Sequence, residues 1–144
     1  MSLLERLLLS DHPSFVRHES HPDQSADWCF MHSSPPQHYH PCFSIDLLNG
    51  VKQSQEHIRQ RLASDTNPKA RIHHLVLASD ANVFNLGGDL SLFHKLIKQG
   101  NRGQLLSYAK LCVEVAYNFS RLYEDRVHSI AVIQGDALGG GFEA

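Results

Sequence analysis

The stretch His128-Ser129-Ile130-Ala131-Val132-Ile133-Gln134-Gly135-Asp136-Ala137-Leu138-Gly139-Gly140-Gly141-Phe142-Glu143-Ala144 decides how this chain is read. Its first seven residues make a short apolar run rich in β-branched side chains, the pattern of a buried parallel strand. Glycines follow at once, so the strand should end in a loop whose backbone can approach a ligand closely. A run of similar character lies upstream: Ile72-His73-His74-Leu75-Val76-Leu77-Ala78. It too leads into a turn-rich stretch, Ser79 to Gly88, holding Asp80, Asn82, Asn85, Gly87 and Gly88.

Two helical patterns separate these strands. The shorter runs from Leu90 to Lys98 and stops at Gly100, a suitable left-handed cap. The longer runs from about Gln104 to Tyr123, with Leu105, Ala109, Cys112, Val113, Ala116, Phe119, Leu122 and Tyr123 at helical spacing. Strand, helices and strand form a βαβ unit, which implies parallel strands joined by a right-handed crossover. Both glycine-rich loops then leave the carboxyl ends of neighbouring strands, the edge at which open α/β sheets place their ligand sites.

Further upstream, a helix should start at Ser44 and end before Asn67-Pro68. Leu47, Leu48, Val51, Ile58 and Leu62 share its apolar face, while Lys52, Gln53, Gln55, Glu56, Arg59 and Gln60 cover the other. Residues 10 to 41 hold Pro13, Pro22, Pro35, Pro36 and Pro41 and six histidines, and should be mostly loop and extended chain. Within them, Asp27-Trp28-Cys29-Phe30-Met31-His32 reads as a strand.

Composition narrows the function. The chain has 144 residues, 42% hydrophobic, with Lys+Arg 13 against Asp+Glu 15 and a formal net charge of -2. That apolar share supports a core and argues against disorder. The charge provides no basic field for nucleic acid or an anionic membrane. No run approaches the roughly eighteen apolar residues of a membrane span. Met1 to Ser10 carries Glu5 and Arg6 and lacks the layout of a secretory signal. Three cysteines make a disulfide framework unsuited, so a reducing cytoplasm is expected.

Chemistry can arise where the two glycine loops meet. Leu86-Gly87-Gly88-Asp89 and Leu138-Gly139-Gly140-Gly141 each precede a helix, whose first N–H groups are unpaired and partially positive. One N–H from each loop, aimed at one point, would form an oxyanion hole, where losing a single donor costs roughly 3–4 kcal/mol. Glu143 follows in the first helical turn, from which a carboxylate could move a proton beside a held acyl carbonyl. The plainer reading stays open: glycine pairs occur at ordinary turns, and a glutamate in a first turn complements the dipole. No Gly-Lys-Ser/Thr follows either run and no Gly-x-Gly-x-x-Gly occurs, so neither phosphate-loop nor dinucleotide fingerprints apply.

Residues 130–144 resemble the signature of the crotonase (enoyl-CoA hydratase/isomerase) superfamily, and Phe84-Asn85-Leu86-Gly87-Gly88-Asp89-Leu90 resembles its oxyanion-hole loop. Within that superfamily, Asn85 to Leu90, His128 to Ala131, Gly141 to Ala144 and Trp28-Cys29-Phe30-Met31-His32 are most similar to bacterial diffusible signal factor synthases. The resemblance covers roughly residues 25 to 144. It implies an α/β crotonase-like fold, a ββα superhelix, of which the chain is the amino-terminal part. Residues 1–24 would form an amino-terminal segment and 25–144 the start of the domain, ending at the signature helix.

The resemblance further implies oxyanion N–H groups from Gly88 and Gly140, substrate contacts from Leu86, Gly87 and Gly139, and a catalytic carboxylate at Glu143. The substrate would be a 3-hydroxyacyl thioester on acyl carrier protein or coenzyme A, dehydrated and hydrolysed to a cis-2-unsaturated fatty-acid quorum signal. The generic enoyl-CoA hydratase/isomerase reaction and an inactive binding fragment are the alternatives. No metal or redox cofactor is required, and the intact protein should form a trimer or hexamer, with a regulatory sensor protein as a further partner. Ser91 and Leu92 stand where the common superfamily loop carries a basic residue. The family's second catalytic glutamate lies beyond the signature, so these 144 residues alone are expected to be inactive.

Other reactive residues have simpler explanations. Asp89 should cap its helix and Asp136 brace its turn. His38-Tyr39-His40-Pro41-Cys42 offers three ligand types but lacks the paired spacing of a zinc site. His73-His74 alternates across a strand, so one at most faces any pocket. Cys29 and Cys112 are expected to pack rather than react, and Phe93, Phe119 and Tyr123 to belong to the core.

Overall fold

A computed structural model describes residues 15–65, 72–121 and 126–144. The expected features at 1–14, at Asn67-Pro68 and at Leu122 and Tyr123 lie outside the described residues. The two apolar runs form neighbouring strands, His73–Ser79 and Val127–Ala131. In full chain order the strands are β1 (Val16–His21), β2 (Ala26–Met31), β3 (His73–Ser79), β4 (Val83–Asn85), β5 (Val127–Ala131) and β6 (Asp136–Ala137). The helices are α1 (Ile45–Ser64), α2 (Leu90–Lys98), α3 (Arg102–Arg121) and the single turn α4 (Gly140–Glu143).

The main sheet has the order β1-β2-β3-β5. β3 and β5 are parallel, with Val76 opposite Ile130, as the βαβ pattern requires. β2 is parallel to β3 as well, with Trp28 opposite Val76, so β2-α1-β3 is a second unit of the same kind. β1 lies antiparallel on β2, from Val16 opposite Met31 to His21 opposite Ala26. This strand falls inside residues 1–24. Its sequence, Val-Arg-His-Glu-Ser-His, lacks an apolar alternation because much of it faces solvent at a sheet edge. Among the described residues, no helix is long and apolar enough to cross a membrane.

Helix α1 is capped by Ser44, whose Oγ accepts the Leu47 N–H at 3.2 Å. Its buried stripe is Leu47, Leu48, Val51, Gln55 and Ile58. The expectation that Gln55 lies on the solvent face is therefore corrected. Its position continues the i, i+4 spacing from Val51, and only its polarity argued otherwise. The buried amide is satisfied: Nε2 donates to the Val115 carbonyl at 3.0 Å, and Oε1 accepts from Asn118 Nδ2 at 3.0 Å. The side chain thereby bridges α1 to α3.

Helix α3 keeps Cys112 and Phe119 of the expected face against the core, but its most buried residues differ. Tyr108 and Val115 are its buried residues, whereas Val113 is 68% exposed and Ala109 and Ala116 are exposed. The sequence is apolar on two sides of this helix, and the stripe chosen by its neighbours begins one position earlier. Strand β5 was expected to be buried, but only Val127 is; Ile130 is 42% exposed. It forms the open edge of the sheet, and no described element covers it. The 79–88 stretch, expected to be turn throughout, contains β4, which pairs in parallel with β6. Met31, Leu47, Leu48, Val51, Leu77, Phe84, Tyr108 and Val115 belong to one core between the sheet, α1 and α3.

Candidate active site

Pairing of β4 with β6 brings the two glycine loops side by side, with Asn85 opposite Ala137 and the Leu138 N–H donating to the Asn85 carbonyl at 3.0 Å. The approach leaves little room for side chains. A Cβ on Gly87 would stand 2.9 Å from the Leu138 carbonyl oxygen and 3.2 Å from the Gly140 nitrogen, and Gly87 has a φ of +90°. A Cβ on Gly141 would run into the Asn85 carbonyl. These glycines are needed for contact between the loops as well as for turning.

The first loop is held at the Leu86, Gly87 and Asp89 amides and at the Gly87 carbonyl. The Leu86 N–H donates to the Pro41 carbonyl at 2.8 Å, and the Phe43 N–H donates to the Gly87 carbonyl at 2.7 Å. The Gly87 N–H donates to Asn85 Oδ1 at 2.8 Å, an Asx turn. The Asp89 N–H donates to the Tyr108 hydroxyl at 2.9 Å, and that hydroxyl donates to the Phe43 carbonyl at 2.6 Å. Asp89 caps α2 as expected, its Oδ1 accepting the Leu92 N–H at 2.9 Å. Among the described residues, the Gly88 N–H has no hydrogen-bond partner, and neither has the Gly140 N–H at the start of α4.

Both of these glycines line one chamber of about 320 Å³, and Glu143 lines it with them. Met31, Leu48, Val51, Leu77, Val115 and Phe119 supply apolar wall, and Tyr108 and Cys112 complete part of the α3 side. Gly140 and Glu143 stand at the exposed side of the structure. Leu86, Gly87 and Gly139 do not border the chamber: Leu86 is half-buried, Gly87 is buried against the second loop, and Gly139 is the exposed residue preceding α4. The structure therefore brings Gly88, Gly140 and Glu143 together around the chamber, with Leu86, Gly87 and Gly139 outside its lining.

A buried polar network beneath the first loop carries no pattern readable in the sequence. His32 is fully buried; its Nδ1 lies 2.8 Å from the Tyr39 hydroxyl and its Nε2 3.1 Å from the Phe84 carbonyl. The carbonyl can only accept, so Nε2 carries the proton and Nδ1 accepts from Tyr39. Burial lowers the pKa of His32 to about 4, which keeps the ring neutral. Asn85, also fully buried, places Nδ2 beside Met31 Sδ at 3.9 Å and turns Oδ1 towards Gly87. An asparagine two residues before a glycine in a turn-rich segment is the one signal that could have singled it out.

The remaining candidates take structural places. Burial pushes the Cys29 thiol up to about 12 and the Cys42 thiol up to about 11, the latter also against the charge of Asp89. His73 is buried against Asp27 at 2.5 Å, while His74 faces the opposite side of the strand. No group of three histidine, cysteine or acidic residues that could hold a metal occurs among the described residues.

No protein-family model and no curated protein matches the chain. Solved structures do, and the fold is that of enoyl-CoA hydratase/isomerase (crotonase) structures. Pseudomonas aeruginosa DspI is 27% identical, with a TM-score of 0.64, over 92% of this chain and 46% of its own. An enoyl-CoA hydratase from Shewanella pealeana is 20% identical, with a TM-score of 0.63, over 98% of this chain and 46% of its own. A crotonase from Legionella pneumophila is 21% identical, with a TM-score of 0.63, over 90% of this chain and 44% of its own. The chain thus spans about half the length of the structures it matches.

Proposed function

We propose that the protein of which these residues form part activates a 3-hydroxyacyl thioester through the Gly88 and Gly140 N–H groups, with Glu143 as general acid/base. The observation that carries this reading is the meeting of two unpartnered amides and one carboxylate around a single apolar chamber. Hydrogen bonds from both amides would stabilise charge developing on the thioester oxygen as the C2 proton leaves. Glu143 takes part in moving that proton or the one that departs with the C3 hydroxyl as water. The acyl tail occupies the apolar wall beyond. The same hole supports hydrolysis of the thioester, releasing a cis-2-unsaturated fatty acid that serves as a quorum signal. No metal or redox cofactor enters this scheme.

The 27% identity to DspI and the motif resemblance to diffusible signal factor synthases favour carrier-protein substrates in the cytoplasm. The likeness to an enoyl-CoA hydratase over 98% of the chain supports the generic hydratase as the second reading. Assembly as a trimer or hexamer is expected on either reading, and control by a sensor protein belongs to the first. The test is Glu143→Gln in the full-length protein, assayed on 3-hydroxyacyl thioesters of acyl carrier protein and of coenzyme A. Dehydration should fall by about 10²- to 10⁴-fold. Turnover at the wild-type rate overturns the role of Glu143, and exclusive use of coenzyme A esters favours the generic hydratase.

A further inference from the structure

The Gly88 N–H can serve as a donor only if its peptide plane is fixed, and two side chains, Asn85 three residues before it and Tyr108 on α3, hold the amides on either side. In a trans peptide the N–H of one residue points opposite to the carbonyl of the residue before, and the described residues contain no cis peptide bond. The Gly87 carbonyl is drawn to the Phe43 N–H at 2.7 Å, so the Gly88 N–H is turned away from Phe43. Amides on either side of Gly88 are each held by a side chain. Asn85 Oδ1 takes the Gly87 N–H, and the Tyr108 hydroxyl takes the Asp89 N–H while donating to the Phe43 carbonyl. Between these two anchors, Gly88 alone keeps an unpaired donor.

We infer that Asn85 and Tyr108 are positioning residues that aim the Gly88 N–H, an inference that rests on the oxyanion-hole reading above. Asn85 is well placed for this work because its own side chain has little freedom. It is fully buried, packed between Met31 and the His32 ring, and its main-chain carbonyl receives the Leu138 N–H of the second loop. One residue therefore orients the first loop through its side chain and fastens the second through its backbone. Tyr108 is held by the edge-on contact of its ring with Phe93, centroids 5.1 Å apart, and by burial in the core.

The test compares wild type, Asn85→Ala, Asn85→Asp and Tyr108→Phe in the full-length protein. Turnover is read on the 3-hydroxydecanoyl thioester of acyl carrier protein. Carbonyl polarisation is read from the infrared stretch of bound decanoyl-coenzyme A labelled with ¹³C at its carbonyl. Asn85→Ala and Tyr108→Phe should lower kcat by about 10- to 100-fold with KM changed less than about threefold, and should reduce the downshift of the carbonyl stretch. Asn85→Asp keeps an acceptor for the Gly87 N–H and should recover much of both. Tyr108→Phe retains the packed ring, so it carries the test even where Asn85→Ala fails to fold. A purely structural role would lower Tm and leave the stretch and the kcat of the folded enzyme unmoved, which overturns the inference. A wild-type complex with no downshift overturns the oxyanion reading itself, and a wild-type downshift preserved in both variants overturns only the positioning role.

Discussion

The two glycine loops meet at the same chamber, yet they are built differently. Around Gly88, the Leu86, Gly87 and Asp89 amides and the Gly87 carbonyl all have partners drawn from 41–43, Asn85 and α3. The following helix has a side-chain cap in Asp89. Around Gly140, the residue preceding α4 is Gly139, with no side-chain cap, and Phe142 is 72% exposed. Strand β5, which leads to that loop, exposes Ile130, and Val132 and Ile133 just beyond it are exposed as well. The difference teaches that the first loop acts as the template. The second takes its position from β4–β6 pairing and from close backbone contact at Gly87 and Gly141.

Substitutions at the contact should break this arrangement most severely. Gly141→Ala forces a Cβ into the Asn85 carbonyl, and neither backbone can yield without parting the loops. Turnover of the full-length protein should fall by about 10³-fold or more, with a clear drop in Tm. Near-normal turnover would show that the loops do not need to touch.

A region remote from both loops provides the control. Asp27, at the amino-terminal end of β2, accepts hydrogen bonds from His73 and Arg61 while fully buried. Burial alone would raise its pKa, but the bonds from His73, Arg61 and Ser20 outweigh it and hold the carboxyl well below the usual carboxylate range. A depressed carboxylate contributes stability that is present above the unfolded value, about 3.9, and lost as pH falls through it towards the folded value. Asp27→Asn should cost about 2–3 kcal/mol at pH 7 and flatten the loss of stability between about pH 4 and pH 2. Thermal unfolding at stepped pH checks this; parallel curves for wild type and variant would remove Asp27 from the acid response.

Smaller effects sharpen the contrast between the loops. At Gly139 a Cβ would meet nothing within 4 Å, although φ is +50°. Gly139→Ala should therefore cost about 1–3 kcal/mol of backbone strain and keep most of the turnover that Gly141→Ala destroys. Equal damage from the two would contradict a contact-based account. Amide hydrogen exchange should separate the loops last and least, with Gly87 and Asp89 exchanging at least about tenfold more slowly than Gly140. Equal exchange would erase the distinction between template and follower.

Much of the architecture was legible because it depends on local chemistry. The apolar run at 72–78, the first part of that at 128–134, the Leu90–Lys98 helix with its Asp89 cap, and the start of α1 at Ser44 all follow from pattern and capping. Edge strand β1 was not legible, because exposure removes the alternation that marks a strand. Nor were β4 and β6, which are held by backbone bonds that carry no side-chain code. Of the α3 wall, Cys112, Val113, Ala116 and Phe119 lie on the stripe the sequence marks, whereas Tyr108 and Val115 do not, because an apolar helix with two candidate stripes leaves the choice to its neighbours.

By itself, the sequence determined that two glycine loops follow strands of a parallel sheet and that a glutamate stands one turn beyond the second. Strand periodicity and the unique backbone freedom of glycine are local properties, so no distant partner is needed to read them. Only the tertiary structure decided that Asn85, His32 and Gln55 lie inside and that Tyr108 reaches across to the Asp89 amide. A buried polar side chain is stable only where a partner meets its hydrogen-bonding groups. Several of those partners, such as Phe84 for His32 and Val115 for Gln55, come from residues tens of positions away, brought within reach by the packing of the helices on the sheet.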